Sequence, residues 1–507
     1  MSNSPRLRSL FSLSRGRLLL VAVALALAAA LGYLAFTRFS AGNKSTAPRR
    51  LAILPFRNLR PDAETDFLGF SLADAVITKL GYVSNLIIRP SSYVSRYRNR
   101  AVEPARVADE LNVNTLLMGS YLREGDNLRV TAQLIDVTSN QPLWAEKIDL
   151  KYENLLSLED CVTEQIIGGL NLMLTPAESD RLRRDRPQRP EAYEYYLRGV
   201  DLYSANNFRV ALQMFDKAVA LDPGFALAWA HRGRTYNASG SFDFGGREAY
   251  RKAQEDFDKA LSLNPDLIDA VIFKANLLTD TGRVEQSVPL LREAIKSHPQ
   301  HAEAHWELGY AYRFAGMLKE AIAEGERARQ IDPQVKITSS AFNSYFYDGQ
   351  YQKFLDSLPP REDNSFVLFY RGLGRYYLGQ MQAATADFDR AFALDPSMYT
   401  QIGKALGYEA AGRRDSGLEL LRDTERRIEA SGVNDPEGIY KLAQGYAVLG
   451  DKAAALRVLR KSIEGGFFCY PYFTTDPLLK NLRGEQEYAS LVERARERHE
   501  EFRRKFF

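Results

Sequence analysis

Cysteine is nearly absent. Cys161 and Cys469 are the only two in 507 residues, which excludes a disulfide framework and every C-x-x-C zinc site. Glycine and proline number 34 and 21, too few for a collagen-like or low-complexity chain. No G-x-G-x-x-G or Walker loop occurs, so the phosphate cradles of nucleotide-binding folds are missing. Three of the five histidines, His298, His301 and His305, lie close together. Their HAEAH context is not H-E-x-x-H, and they read as structural. With no nucleophile–base pair, metal cluster or phosphate loop legible, no catalytic, cofactor or metal residue is expected. Acid is missing from the first 50 residues, which carry eight bases. Lys and Arg total 67 against 64 Asp and Glu, a net +3, so residues 51–507 are net −5. A mildly acidic body gives no footing for nucleic acid.

What is present is ordinary globular composition, 45% apolar and 26% charged, which excludes bulk disorder. The length suits two to four domains. One long uncharged run stands out, Leu18–Phe36 (LLLVAVALALAAALGYLAF). As a helix it spans roughly 28 Å, near the hydrocarbon thickness of a bilayer. A cleaved leader would have a shorter apolar core followed by a small-x-small site. Here Ala28-Ala29-Ala30 lies inside the run, and Phe39-Ser40-Ala41 beyond it carries a ring where a small residue is wanted. The reading is therefore an uncleaved transmembrane helix (18–36) behind a short basic cytoplasmic tail (1–17). Four bases flank the run on each side, and the α-amino group tips the balance toward an inside N-terminus. A linker covers 37–50.

Residues 51–180 alternate strand and helix signals. LAILPF, NLIIRP, TLLMGSYLRE, NLRVTAQLIDV and PLWAEKIDL read as strands. Helical stripes run over Asp66–Leu80, Pro104–Leu111 and Leu155–Leu174. The expectation is a small α+β domain with helices on one face of a mixed sheet. Asp62, Glu64, Asp66 and Asp74 read as a polar loop and an acidic helix start, and Trp144 as a packed strand aromatic. The phrases LAILPFRNL, Phe67-Leu68-Gly69, Ser91-Ser92, VADELNVNTLLMGSYLREGDNLRVTAQLID and PLWAEKIDL resemble the TolB amino-terminal-like domain of bacterial membrane proteins. The resemblance implies an extracytoplasmic domain between a membrane span and repeats. Such relatives often carry a kinase, cyclase or winged-helix domain on the cytoplasmic side. Here only the short stretch Met1–Arg17 precedes the run, so the expectation is a relative without the effector domain.

Self-similarity dominates residues 190–465. AVALDPGF, ALSLNPDL, AIKSHPQH, ARQIDPQV and AFALDPSM share an Ala-x4-Pro phrase, with prolines at 223, 265, 299, 333 and 396. The spacings are 42, 34, 34 and 63. Thirty-four is the tetratricopeptide (TPR) period. Forty-two implies an eight-residue insertion, placed in SFDFGGREAY, and 63 implies a degenerate unit around 338–361. Small residues recur 24, 12 and five positions before each proline, where paired helices need close approach. The array resembles TPR proteins and is read as about eight repeats in an all-α superhelix (α-solenoid). The resemblance implies a concave groove lined by fixed first-helix positions. These map to Tyr193, Tyr196, Val200 and Tyr203, then Ala230, Arg234 and Asn237, then Trp306, Tyr310 and Arg313. Phe369, Leu373 and Tyr376 follow, with Tyr440 and Gln444 last. The groove is expected to be aromatic and to hold a protein or peptide partner. Residues 466–507 are expected to form a capping segment and a charged helix. The whole is read as a non-catalytic adaptor in a bacterial inner membrane, its C-terminal bulk periplasmic. The alternative is the sensor half of a signalling system.

Overall fold

Strand β1 (Arg49–Ile53) carries the apolar residues that organise the first domain. The structure, a computed structural model, describes residues 49–507 apart from 84–85, 185–186, 206, 243–244, 333–342 and 359–363. The expected span Leu18–Phe36 and the linker up to Pro48 lie outside the described residues. Among those described, no helix is long and apolar enough to cross a membrane. β1 pairs in parallel with β3 (Leu86–Ile88) and β4 (Thr115–Glu124). β5 (Asn127–Asp136) and β6 (Gln141–Lys151) continue antiparallel, giving the order β3-β1-β4-β5-β6. A very short strand, β2 (Arg57–Asn58), pairs with β4. The β4–β5 hairpin turns on Gly125, whose φ of +60° suits a residue without Cβ.

The expectation of helices on one face is corrected. Leu51 and Ile53 pack toward helices Leu68–Leu80 and Leu155–Gly169. Ala52 and Leu54 point the other way, onto Val94, Tyr97, Val107 and Leu111 of the segment that includes helix Pro104–Leu111. A central parallel strand needs cover on both faces, and side chains alternate with a period of two. β5, by contrast, alternates buried and exposed residues, as a half-solvated antiparallel strand does. Helix Leu155–Gly169 also ends earlier than expected. Paired glycines close it, and Asn171 takes a φ of +51°.

Eight helical pairs follow among the described residues. They are Pro190–Ser204 with Phe208–Leu221, Ala226–Phe242 with Gly246–Leu263, Ile268–Asp280 with Val284–Ser297, and Ala302–Phe314 with Leu318–Ile331. The fifth is short, Asn343–Tyr347 with Tyr351–Ser357. Ser365–Tyr377 with Met381–Leu394, Met398–Ala410 with Arg414–Ser431, and Pro436–Val448 with Lys452–Gly465 complete the array. The recurring glycines have a common cause. A Cβ on Gly199, Gly233 or Gly372 would lie 2.6–2.7 Å from the ring of Phe215, Phe257 or Phe388 on the paired helix. The extra length of the second unit is mostly helix rather than loop. Its helices have 17 and 18 residues, against 13 and 14 in the fourth pair.

The array does not end at its last pair. Helices Tyr470–Thr475 and Gln486–Phe506 carry the chain back against the third and fourth pairs. Phe468 N–H donates to Phe314 O at 3.0 Å, and Arg292 Nη2 donates to Phe506 O at 2.9 Å. His499 Nδ1 lies 2.7 Å from Ala315 O. Gly282 (φ +74°) sits so close to the end of the eighth pair that a Cβ there would be 1.8 Å from Gly465 O. The stack therefore closes on itself. Its cores cut across the sequence divisions. One apolar cluster joins the α/β domain to the first pairs, and a second runs from the third pair to the C-terminal helix.

Candidate interaction site

Closure decides where the expected groove residues lie. Tyr193 is buried, and its hydroxyl donates to Glu159 of the α/β domain. Tyr196 is buried against Phe215, Phe225 and His231. Trp306, Phe369 and Tyr440 are each no more than 1% exposed. Phe369 contacts Tyr370, Phe388 and Tyr399. Tyr440 lies on Phe473 with ring centres 4.9 Å apart. Its hydroxyl donates to Asp476 Oδ2 at 2.6 Å, as does Gln444 Nε2 at 2.6 Å. Tyr376, also buried, donates to Glu409 at 2.9 Å. These rings hold the stack together. An open aromatic trough is not what the structure presents: the α/β domain meets Tyr193, the first two pairs enclose Tyr196, the sixth and seventh enclose Phe369, and the C-terminal segment meets Tyr440.

The structure does bring Asn237, Tyr310 and Arg313 into one interior network. Asn237 Nδ2 donates to Asn276 Oδ1 (3.0 Å) and Asp280 Oδ2 (3.2 Å), and Tyr310 donates to Asp280 Oδ1 (2.8 Å). Asn276 Nδ2 donates to Glu307 at 3.0 Å. Arg313 Nη2 meets Glu437 Oε2 at 2.6 Å, with both side chains at most 1% exposed. Tyr347 donates to the other Glu437 oxygen at 2.5 Å. Beside it, Lys441 lies against the rings of Phe346 and Tyr347, 4.8 and 4.5 Å from their centres, and burial pushes its ammonium down to about 8.

Sequence reasoning missed Glu437, Asp280, Lys441 and Asp476. Glu437 in NDPEG reads as an ordinary acidic helix start. No spacing in the sequence pairs it with Arg313.

Carboxylates outnumber cations at the closure. Burial, with Asp435 and Glu437 nearby, pushes Asp280 up to about 7, and burial with Glu437 pushes Asp435 up to about 6. Both are raised, so the protonated folded form is favoured at acid pH. Their contribution is full below about pH 4 and is lost as pH rises through 4–7. His231 and His301 oppose it: burial drives them down to about 3 and 4, so stability present above pH 6.5 is lost on acidification. Asp280→Asn keeps an acceptor for Tyr310 and removes one titration. The stability of the variant relative to the parent should rise from pH 4 to pH 7 in urea melts. A difference that stays flat over that range would refute this assignment.

Tyr203 and Arg234 are only half-buried. The Arg234 guanidinium lies between the rings of Tyr203 and Phe273, 4.7 and 4.5 Å from their centres. It borders a cavity of about 140 Å³ between helix Leu68–Leu80, β3 and pairs two to four, with Asp74, His231, Asp269 and Glu303 on its walls. Among the described residues no group of His, Cys, Asp and Glu could hold a metal ion.

This architecture is an all-helical, TPR-like solenoid preceded by a small α/β domain. Residues 196–260 and 274–335 match the tetratricopeptide repeat family. Residues 47–165 match the second domain of HilA/YgeH-like transcriptional regulators. The chain is 31% identical over 183 residues to putative adenylate cyclase 3 of Rhizobium meliloti (strain 1021), covering 36% of this chain and 31% of that one. It is 30% identical over 143 residues to human tetratricopeptide repeat protein 13, covering 28% and 15%. The chain thus spans less than a third of the length of these relatives. Among solved structures it is similar to YrrB, a TPR protein with an unusual peptide-binding site. That match has 20% identity, covers 44% of this chain and 94% of that one, and has a TM-score of 0.23. The Cut9–Hcn1 hetero-tetramer of the APC/C matches at 13% identity, covering 68% and 83%, with a TM-score of 0.36.

Proposed function

We propose that this chain is a non-catalytic adaptor, held to a bacterial inner membrane by Leu18–Phe36, that captures a protein partner at the mouth beside Arg234. The observation that carries the reading is the half-buried Arg234, set between two rings beside the cavity lined by helix Leu68–Leu80, β3 and pairs two to four. A guanidinium positioned by aromatic faces suits recognition of a protein surface. The TolB-like reading of the first domain belongs to this proposal, and puts the bulk of the chain in the periplasm. A photo-crosslinking residue at position 234 should trap a partner in native membranes, whereas one at buried position 369 should not. Equal trapping at both positions, or none at 234, would overturn the groove reading. Carbonate extraction that released the full chain would overturn the anchor.

A second reading has its own support. The match of residues 47–165 to a regulator domain and the likeness to a putative cyclase favour the sensor half of a signalling system. Its kinase, cyclase or transcription-regulator effector would be a separate polypeptide. Under this reading the trapped partner carries such a domain, and under the first it does not.

A further inference from the structure

The outer edge of β6 has no strand beside it among the described residues. A long bare edge is a template for another strand, and proteins usually blunt such edges. Pro142 and the register shift opposite Leu134/Ile135 blunt only its start, leaving Trp144–Lys151 regular. The backbone facing outward can be identified. Tyr152 N–H donates to Asp126 O at 2.8 Å, extending the ladder in which even-numbered residues bond β5. Ala145, Lys147, Asp149 and Lys151 therefore point their N–H and C=O groups away from the sheet. The side chains of Lys147 and Asp149 are more than half exposed.

Charge then discriminates among partners. An antiparallel copy of the same strand centred on position 147 would set Lys147 against itself. Centred on 149, it would set Asp149 against Asp149 and Lys147 against Lys151. Centred on Ile148, each Lys147 faces the Asp149 of the other copy, twice by symmetry, and Ile148 meets its own equivalent. Like charges directly opposite are destabilising and opposite charges stabilising, so the register centred on Ile148 is favoured over those centred on 147 and 149. We propose that β6 is a homodimer edge, with two copies of this chain pairing antiparallel about Ile148 to make one continuous sheet. The interface is isologous, as a two-fold contact must be.

The test uses the full chain and two single variants in sedimentation velocity. Lys147→Glu and Asp149→Lys each place like charges at both contact points, and each alone should be monomeric where the parent is dimeric, weakening self-association by roughly tenfold or more. Mixed together they regain both attractions, so a heterodimer should form. Lys147→Pro should also dissociate the dimer, because the N–H it removes faces outward and supports no bond to β5. A monomeric parent, single variants that still dimerise, or a mixture that stays monomeric would each overturn the proposal. So would crosslinks from position 147 that reach only a different polypeptide.

Discussion

Glu437→Ala should release the closed stack, at a cost of about 3–5 kcal/mol. Glu437 is 1% exposed and takes Arg313 Nη2 at 2.6 Å and the Tyr347 hydroxyl at 2.5 Å. Those two residues belong to the fourth and fifth pairs, while Glu437 opens the eighth. Removing the carboxylate leaves a guanidinium in the interior beside the rings of Tyr310 and Tyr347, 4.8 and 5.4 Å from their centres. The expense lies in removing the carboxylate that faces a buried guanidinium, more than in losing a favourable pair. A compensating change separates the two. Arg313→Met with Glu437→Leu removes both charges and should recover most of the lost stability. Urea-unfolding midpoints measure the ordering, and hydrogen exchange locates it, with protection falling at Ala302–Phe314 and Pro436–Val448. If the double variant is as unstable as the single one, shape rather than charge governs the closure.

Arg89→Ala should have an effect of the same size at the other junction. Arg89 is fully buried at the end of β3, and Nη1 lies 2.6 Å from Asp332 at the end of the fourth pair. Its remaining nitrogens hold the chain after helix Pro104–Leu111, with Nε donating to Leu111 O (2.6 Å) and Nη2 to Asn112 O (2.7 Å). One side chain thus ties the sheet edge, the helix on its second face and the solenoid. Truncation leaves a buried carboxylate and two carbonyls, for about 3–5 kcal/mol. Arg89→Lys keeps the charge but cannot span three acceptors with a planar fork, so it should fall between parent and alanine variant. The more exposed contacts of the α/β domain with the first pair, Arg98–Asp201 and Arg198 to Glu64 O, should matter far less. A small, equal loss for both Arg89 variants would show that the interface is held by its apolar cluster alone.

Much of the fold was legible before any coordinates. The strand segments of the α/β domain and the repeat phrases both rest on patterns within a few residues or between near neighbours. Gly199 against Phe215 is typical: the two lie on one helical hairpin, and both recur with the repeat. The second face of the sheet was harder to read, because Ala52 and Leu54 look like a continuation of a strand and do not say what covers them. The candidate site was harder still. Tyr440 and Trp306 occupy positions that line a groove in an open array, and nothing beside them in the chain says that the groove is filled.

The sequence by itself determined the unit: a helical hairpin repeated at the tetratricopeptide period, behind a small sheet domain. Its cause is local, since close helix approach demands small residues at fixed offsets. Only the tertiary structure decided that the units curl until the last meets the fourth. That contact joins Arg313 to Glu437 across 124 positions. It depends on rotation accumulated over several pairs, one of them short, and no spacing within a single repeat encodes that sum.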